Sequence, residues 1–220
     1  MHASALISYS IPPLKLSDKG EKALSWMNDF HVRHLPVVED GMFLGLLSED
    51  EVLNFVAPES SVKDNNPELV VKFATTDQHL YDVMKLVVDS NLSVIPVLSP
   101  EGEYQGIITI DNLVKQLVES GSITHPGGIL VLEMPARDYS LAEIARLVES
   151  ENAAILSSFI TSPYGKANIE LTLKLNKEDL KHVVATLERF GYEVASSFYE
   201  SDYIDSLKER YASFVRYLDM

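Results

Sequence analysis

His31 to Leu53 reads HVRHLPVVEDGMFLGLLSEDEVL. An apolar run, the turn-forming EDG (Glu39–Gly41), a second apolar run and then a Ser ahead of acidic residues is the pattern of strand, turn, strand and helix start. Asn91 to Val114 reads NLSVIPVLSPEGEYQGIITIDNLV and repeats that order. Pro36 aligns with Pro96 at an offset of 60. Past the turn the offset becomes 61, because the second copy carries one more residue there. Gly45 then meets Gly106, Ser48 meets Thr109, Glu51 meets Asn112 and Leu53 meets Val114. This duplication decides the fold, since an overlooked repeat misassigns every element around it.

Each copy is preceded by a helical pattern. In EKALSWMNDF (Glu21–Phe30) the residues Ala23, Leu24, Met27 and Phe30 line one side; in YDVMKLVVDS (Tyr81–Ser90) Val83, Met84, Val87 and Val88 do so. Ahead of these helices, PPLKL (Pro12–Leu16) and LVVKFA (Leu69–Ala74) read as lead-in strands. Ser48 and Thr109 are the expected N-caps of the closing helices. The polar stretch PESSVKDNNPE (Pro58–Glu68) reads as the linker. The repeats therefore span residues 1–60 and 61–122, each a β-α-β-β-α unit.

SGSITHPGG (Ser120–Gly128) is the next break, and the rhythm changes after it. Strand 129–135, helix 140–152 capped by Ser140, a hairpin of 154–163 and 167–176, helix 177–191 ending at Gly191, and strand 192–199 give the order βαββαβ over residues 128–200, a ferredoxin-like plan. The fold class is α+β. Residues 201–220 read as a terminal amphipathic helix, with Leu207, Tyr211, Phe214 and Leu218 at spacings of 4, 3 and 4. That stripe fits packing on the parent domain or contact with a partner.

Composition narrows the functions. Across 220 residues, 46% hydrophobic and 23% charged is enough for real cores. A net charge of -15 opposes nucleic acid and anionic membrane, which need clustered Lys and Arg. No apolar run is long enough to span a bilayer and the N-terminus has no signal-peptide pattern, so a cytoplasmic location is expected. With no Cys, disulfides, thiolate metal sites and cysteine catalysis are excluded. The six His show none of the spacings of a metal site, and neither a P-loop nor a Gly-x-Ser-x-Gly elbow occurs. No enzyme is expected.

The doubled unit resembles a pair of CBS domains, a Bateman module. The residues that carry the resemblance are Leu35-Pro36-Val37 and Ile95-Pro96-Val97, with Gly45-Leu46-Leu47-Ser48 through Glu51 and Gly106-Ile107-Ile108-Thr109 through Asn112. The C-terminal third is similar to an ACT domain, and the domain order resembles the AcuB-like regulatory proteins. The resemblance implies two clefts between the repeats that take an adenosine nucleotide: AMP, ADP, ATP or S-adenosylmethionine. It implies no other cofactor; a polyphosphate would need Mg²⁺ in so acidic a chain. A homodimer through the CBS or ACT-like parts is implied, with a protein partner to receive the signal.

Carried onto this sequence, the expected site residues are the hydroxyls Ser48 and Thr109 and, three residues on, Glu51 and Asn112 for the ribose. The framing pairs are Leu35-Pro36 and Ile95-Pro96. Leu14 of the first lead-in and Lys72, Phe73 and Ala74 of the second hold the base, with Phe73 as a stacking ring. Arg33 and His34 form the basic pair for phosphate. The Thr109–Asn112 cleft is expected to be the better one, since Glu51 adds a methylene where Asp is the family residue. The turn Ala136–Glu143 lacks the Gly of amino-acid-binding ACT domains. The alternatives are an oligomerisation scaffold with empty clefts, and an amino-acid sensor acting through the ACT-like domain.

Overall fold

The computed structural model describes residues 1–120, 123–162 and 167–198. Contacts divide the chain into two units, Met1–Leu117 and Val118–Met220. The expected terminal helix, 201–220, lies outside the described residues.

In the first unit, α1 (Gly20–Asp29) leads into β1 (His34–Glu39), β2 (Met42–Ser48) and the short α2 (Glu49–Leu53). A four-residue α3 (Val62–Asn65) and a two-residue β3 (Ala74–Thr75) follow. The second copy is α4 (Leu80–Ser90), β4 (Val94–Leu98), β5 (Tyr104–Thr109) and α5 (Ile110–Ser120). The hairpin after β1 closes on Asp40 and Gly41, both at positive φ, as a two-residue hairpin turn prefers.

The duplication is obeyed at the level of single pairings. His34 pairs with Ser48, and Val94 with Thr109. Each hairpin has its irregularity at the same point, after Val37 and after Val97. Leu14 pairs parallel with Val37, and Ala74 with Val97, an offset of 60 on both sides. The two hairpins touch at equivalent residues: Met42 bridges Glu103, and the rings of Phe43 and Tyr104 stack at 6.5 Å and 16°. A local two-fold axis therefore passes beside that ring pair.

The segments ahead of each repeat do something the periodicity did not predict. They cross over. Ser8 pairs antiparallel with Ile107 of the second repeat, and Val70 with Leu46 of the first. Ala3 and Leu6, in a 3-10 turn at Ala3–Leu6, sit in the core built on β4 and β5. Val62 of α3, inside the stretch expected to be a plain linker, is fully buried in the core built on β1 and β2. The second lead-in strand is thus Ala74–Thr75 rather than Leu69–Ala74, because Leu69 to Val70 belong to the other repeat.

Gly45 and Gly106 permit the crossing. Both have positive φ, at +155° and +138°. A Cβ on Gly45 would come 2.6 Å from Leu69 Cβ, and one on Gly106 2.7 Å from Ile7 Cγ2. Only glycine lets the crossing strand lie this close.

Two helix faces also differ from expectation. Ala23 and Met27 are buried on α1, but Phe30 is exposed; Leu80 and Val83 are buried on α4, while Val88 is 79% exposed. Leu80, at the first position of α4, takes the core place that the pattern gave to Val88, because the buried stripe begins one turn earlier.

The second unit holds β6 (Ile129–Pro135), α6 (Leu141–Ser150), β7 (Ile155–Thr161), β8 (Asn168–Leu175), α7 (Lys181–Arg189) and β9 (Glu193–Phe198). The sheet order is β7-β8-β6-β9, all antiparallel, which is the ferredoxin-like arrangement. Leu130, Leu132, Leu171 and Leu173 pack under Ile144, Leu147, Val183 and Leu187 of the helices. Helix α7 begins at Lys181, four residues later than its sequence pattern.

Candidate functional site

Each closing helix starts on a hydroxyl that caps it. Ser48 Oγ accepts from the Glu51 N–H at 3.2 Å, and Thr109 Oγ1 from the Asn112 N–H at 3.2 Å. A capping hydroxyl still has its own proton to donate. Residues three further on hold the crossing segments. Glu51 Oε1 accepts from the Glu68 N–H at 2.9 Å, and Asn112 Nδ2 donates to the Leu6 carbonyl at 3.4 Å. These contacts are equivalent under the local two-fold.

The crossing also regroups the candidate residues. Glu51 and Ser48 face the segment ahead of repeat two, and Thr109 and Asn112 face the segment ahead of repeat one. Sequence reasoning grouped Lys72, Phe73 and Ala74 with Thr109. In the fold, the chain just before them is fastened to Glu51 and Leu46. Lys72 is exposed; the Phe73 ring, 40% exposed, meets Phe43 edge-on at 6.3 Å and 75°. The Ala74 side chain is fully buried, as are those of Leu14, Leu35 and Ile95. Pro36 and Pro96 are buried as well. These six buried residues can frame a cleft only through their backbone, whereas Lys72 and Phe73 present side chains.

Arg33 and His34 form a cluster that bridges the repeats. The Arg33 N–H donates to Ser93 Oγ at 2.9 Å. His34 Nδ1 lies 3.1 Å from Ser93 Oγ and accepts from the Ser93 N–H at 3.3 Å. Since Nδ1 accepts, the neutral ring carries its proton on Nε2. Arg33 Nη2 reaches Asn91 Oδ1 at 3.5 Å. Half-burial, and then the Arg33 charge, hold His34 below its ordinary 6.5, with Asp50 opposing. A cleft of about 160 Å³ opens here among Arg33, His34, Ser48, Asp50 and Asn91. Sequence reasoning found Arg33 and His34 but missed Asn91 and Ser93. The signal was present, because the offset of 60 sets Ser93 opposite Arg33.

The side chains around this cleft can bind an anion at Arg33 and donate one hydroxyl from Ser48; Glu49 and Asp50 repel excess negative charge. Among the described residues no group of three His, Asp or Glu is placed to hold a metal ion. In the second unit the Ala136–Asp138 segment is a 3-10 turn, and Ser140 Oγ accepts from the Glu143 N–H at 3.4 Å. Ser140, just after this turn, is the N-cap of α6.

The CBS domain family model matches residues 7–58 and 67–119. The first unit is therefore a pair of CBS domains. The chain is similar to a CBS domain pair/ACT domain protein from Thermotoga maritima, at 18% identity and a TM-score of 0.48, over 54% of this chain and 98% of that one. It is similar to the CBS-pair protein CBSX2 from Arabidopsis thaliana, at 19% identity and a TM-score of 0.47, over 54% and 94%. It is also similar to the cytosolic domain of the Mg²⁺ channel MgtE, solved in complex with ATP, at 23% identity and a TM-score of 0.44, over 53% and 48%. No described helix is long and apolar enough to cross a membrane.

Proposed function

We propose that the CBS pair is a regulatory module that takes an adenosine nucleotide in the cleft beside Ser48, Arg33 and His34. The observation that carries this is the cleft's construction. Its cation and imidazole come from one repeat, and their hydrogen-bond partners Asn91 and Ser93 from the other. A phosphate on Arg33 competes with Asn91 for the guanidinium. The cleft, at about 160 Å³, is smaller than the several hundred Å³ of a typical ligand pocket. A nucleotide therefore enters by parting Arg33 from Asn91, and binding changes how the repeats are held together. The size of that shift equals the ligand's difference in affinity for the two arrangements. Glu49 and Asp50 favour a monophosphate, or a polyphosphate carrying Mg²⁺. The module acts in the cytoplasm as a homodimer and passes the change to a protein partner; the ACT-like unit follows it as an association domain.

One observation favours a second reading. Glu51 and Asn112 already serve the crossing segments, so both clefts would stay empty and the pair would be a scaffold. Calorimetry and thermal shift with AMP, ADP, S-adenosylmethionine and ATP, the last with and without Mg²⁺, separate the two. The nucleotide reading expects a rise in Tm by mass action, lost in Arg33→Ala and kept in Thr109→Val. No response to any of them at about millimolar concentration, weaker than about 4 kcal/mol of binding, leaves the scaffold. Loss in Thr109→Val alone moves the ligand to the other cleft.

A further inference from the structure

One face of the second unit's sheet carries the two helices, over the buried Leu130, Leu132, Leu171 and Leu173. The alternate residues of the strands point the other way and line up in ranks across the sheet. The middle rank holds Val131, Thr172 and Phe159. On one side of it lies the rank of Phe198, Ile129 and Lys174; on the other lies that of Glu193, Glu133 and Glu170. Phe159 and Phe198 are each 57% exposed. This face is therefore apolar in its middle, cationic toward one end and anionic toward the other.

We propose that two copies of the chain stack sheet to sheet through this face, about a two-fold axis running along the middle rank, which rests on the homodimer reading above and gives that dimer its surface. Such an axis lays the Lys174 rank of each copy over the Glu170 rank of the other, and the middle rank over itself. Lys174 of one copy then meets Glu170 of the second, twice by symmetry, and Val131, Thr172 and Phe159 meet their own counterparts. Within one copy Lys174 and Glu170 stand four residues apart along β8, about 14 Å and too far to pair. Lys174 Nζ donates to the Gly127 carbonyl at 2.7 Å and keeps two further protons. Glu133 accepts from Asn168 Nδ2 at 3.1 Å, and Asn168 lies one rank further out, so this charge leans away from the apolar middle. An axis parallel to the strands would instead lay Glu133 over Glu170, which like charge opposes. The pattern is self-complementary in one orientation, and that selects a second copy over an unrelated partner. Four strands of up to eight residues make a face about 19 by 27 Å, so two copies hide about 1,000 Å² in projection, the size at which a specific interface begins.

Sedimentation equilibrium of the full chain reads the dimer dissociation constant. Lys174→Glu and Glu170→Lys each set like charges against one another at both symmetric positions and should raise it about 10–100-fold. The double variant Lys174→Glu, Glu170→Lys restores opposite charges across the interface and should return it to within about threefold of the parent. Phe159→Ser changes an exposed side chain, leaves the Lys174 contact with Gly127 untouched, and should raise the constant as well. A dimeric parent whose constant none of these variants moves overturns this interface while the homodimer reading stands. Weakening by the single variants without recovery in the double overturns it too. A parent that stays monomeric at roughly 0.1 mM, weaker than about 5 kcal/mol of association, overturns both.

Discussion

Replacing Gly106 by Ala tests the crossing of the N-terminal segment. The new Cβ would sit 2.7 Å from Ile7 Cγ2 and 3.2 Å from the Ser8 carbonyl oxygen. It would also hold a φ of +138°, which costs a residue with a Cβ about 1–3 kcal/mol. Overpacking against Ile7 adds about 1–3 kcal/mol. Gly102 supplies the control: its φ is +90° and nothing lies within 4 Å of its added Cβ, so Gly102→Ala carries only the backbone cost. The excess of Gly106→Ala over Gly102→Ala, about 1–3 kcal/mol, measures the crossing contact. Removing the Ile7 branch in Gly106→Ala, Ile7→Ala should return part of it as a favourable coupling. Urea unfolding followed by tryptophan fluorescence is suited to this, because the single Trp, Trp26, stands on α1 of the first unit with Lys22 Nζ 4.3 Å over its ring. Equal losses for the two glycines, with no coupling to Ile7, would refute the crossing.

Three further outcomes are expected. His34 is held below its ordinary 6.5 by burial, so the unfolded chain takes up this proton first. Its contribution is complete above that value and is lost as pH falls through the folded-state value; the urea midpoint of the parent should fall more between about pH 7.5 and 5.5 than that of His34→Gln. Ser48→Ala and Thr109→Ala each remove an N-cap acceptor and should cost about 1 kcal/mol, read by the same fluorescence titration. Leu171→Ala opens a cavity in the fully buried second core and should cost about 2–5 kcal/mol, seen by calorimetry in the second unit and absent from the Trp26 signal.

Local chemistry explains what was legible beforehand. The offset of 60 and 61, the caps at Ser48, Thr109 and Ser140, and the alternation along β8 are all written within a few residues of one another, and each appears in the fold. The crossing is a long-range fact. Nothing near Val62 or Leu6 tells a side chain which of two similar cores it will enter, since both repeats offer equivalent places. For the same reason the partners of Glu51 and Asn112, Glu68 and Leu6, could not be read from the sequence, nor could the fastening of the chain just before Lys72 and Phe73 to Glu51 and Leu46. The apolar stripe on α4 was misplaced by one turn because Leu80 stands at the helix start, where the capping box of His79 and Asp82 fixes the phase.

Crossing has a consequence for the order in which the chain can be finished. Ala3 and Leu6 leave the ribosome before either repeat is complete, yet the strand that receives Ser8 ends about 100 residues later. At about 5–20 residues per second, this segment waits roughly 5–20 seconds for its place. Repeat one meanwhile lacks Val62 and Val70 until the chain beyond α2 emerges. The first repeat cannot complete its core during its own synthesis, so a nascent first repeat is open to borrowing the missing strand from a neighbouring chain.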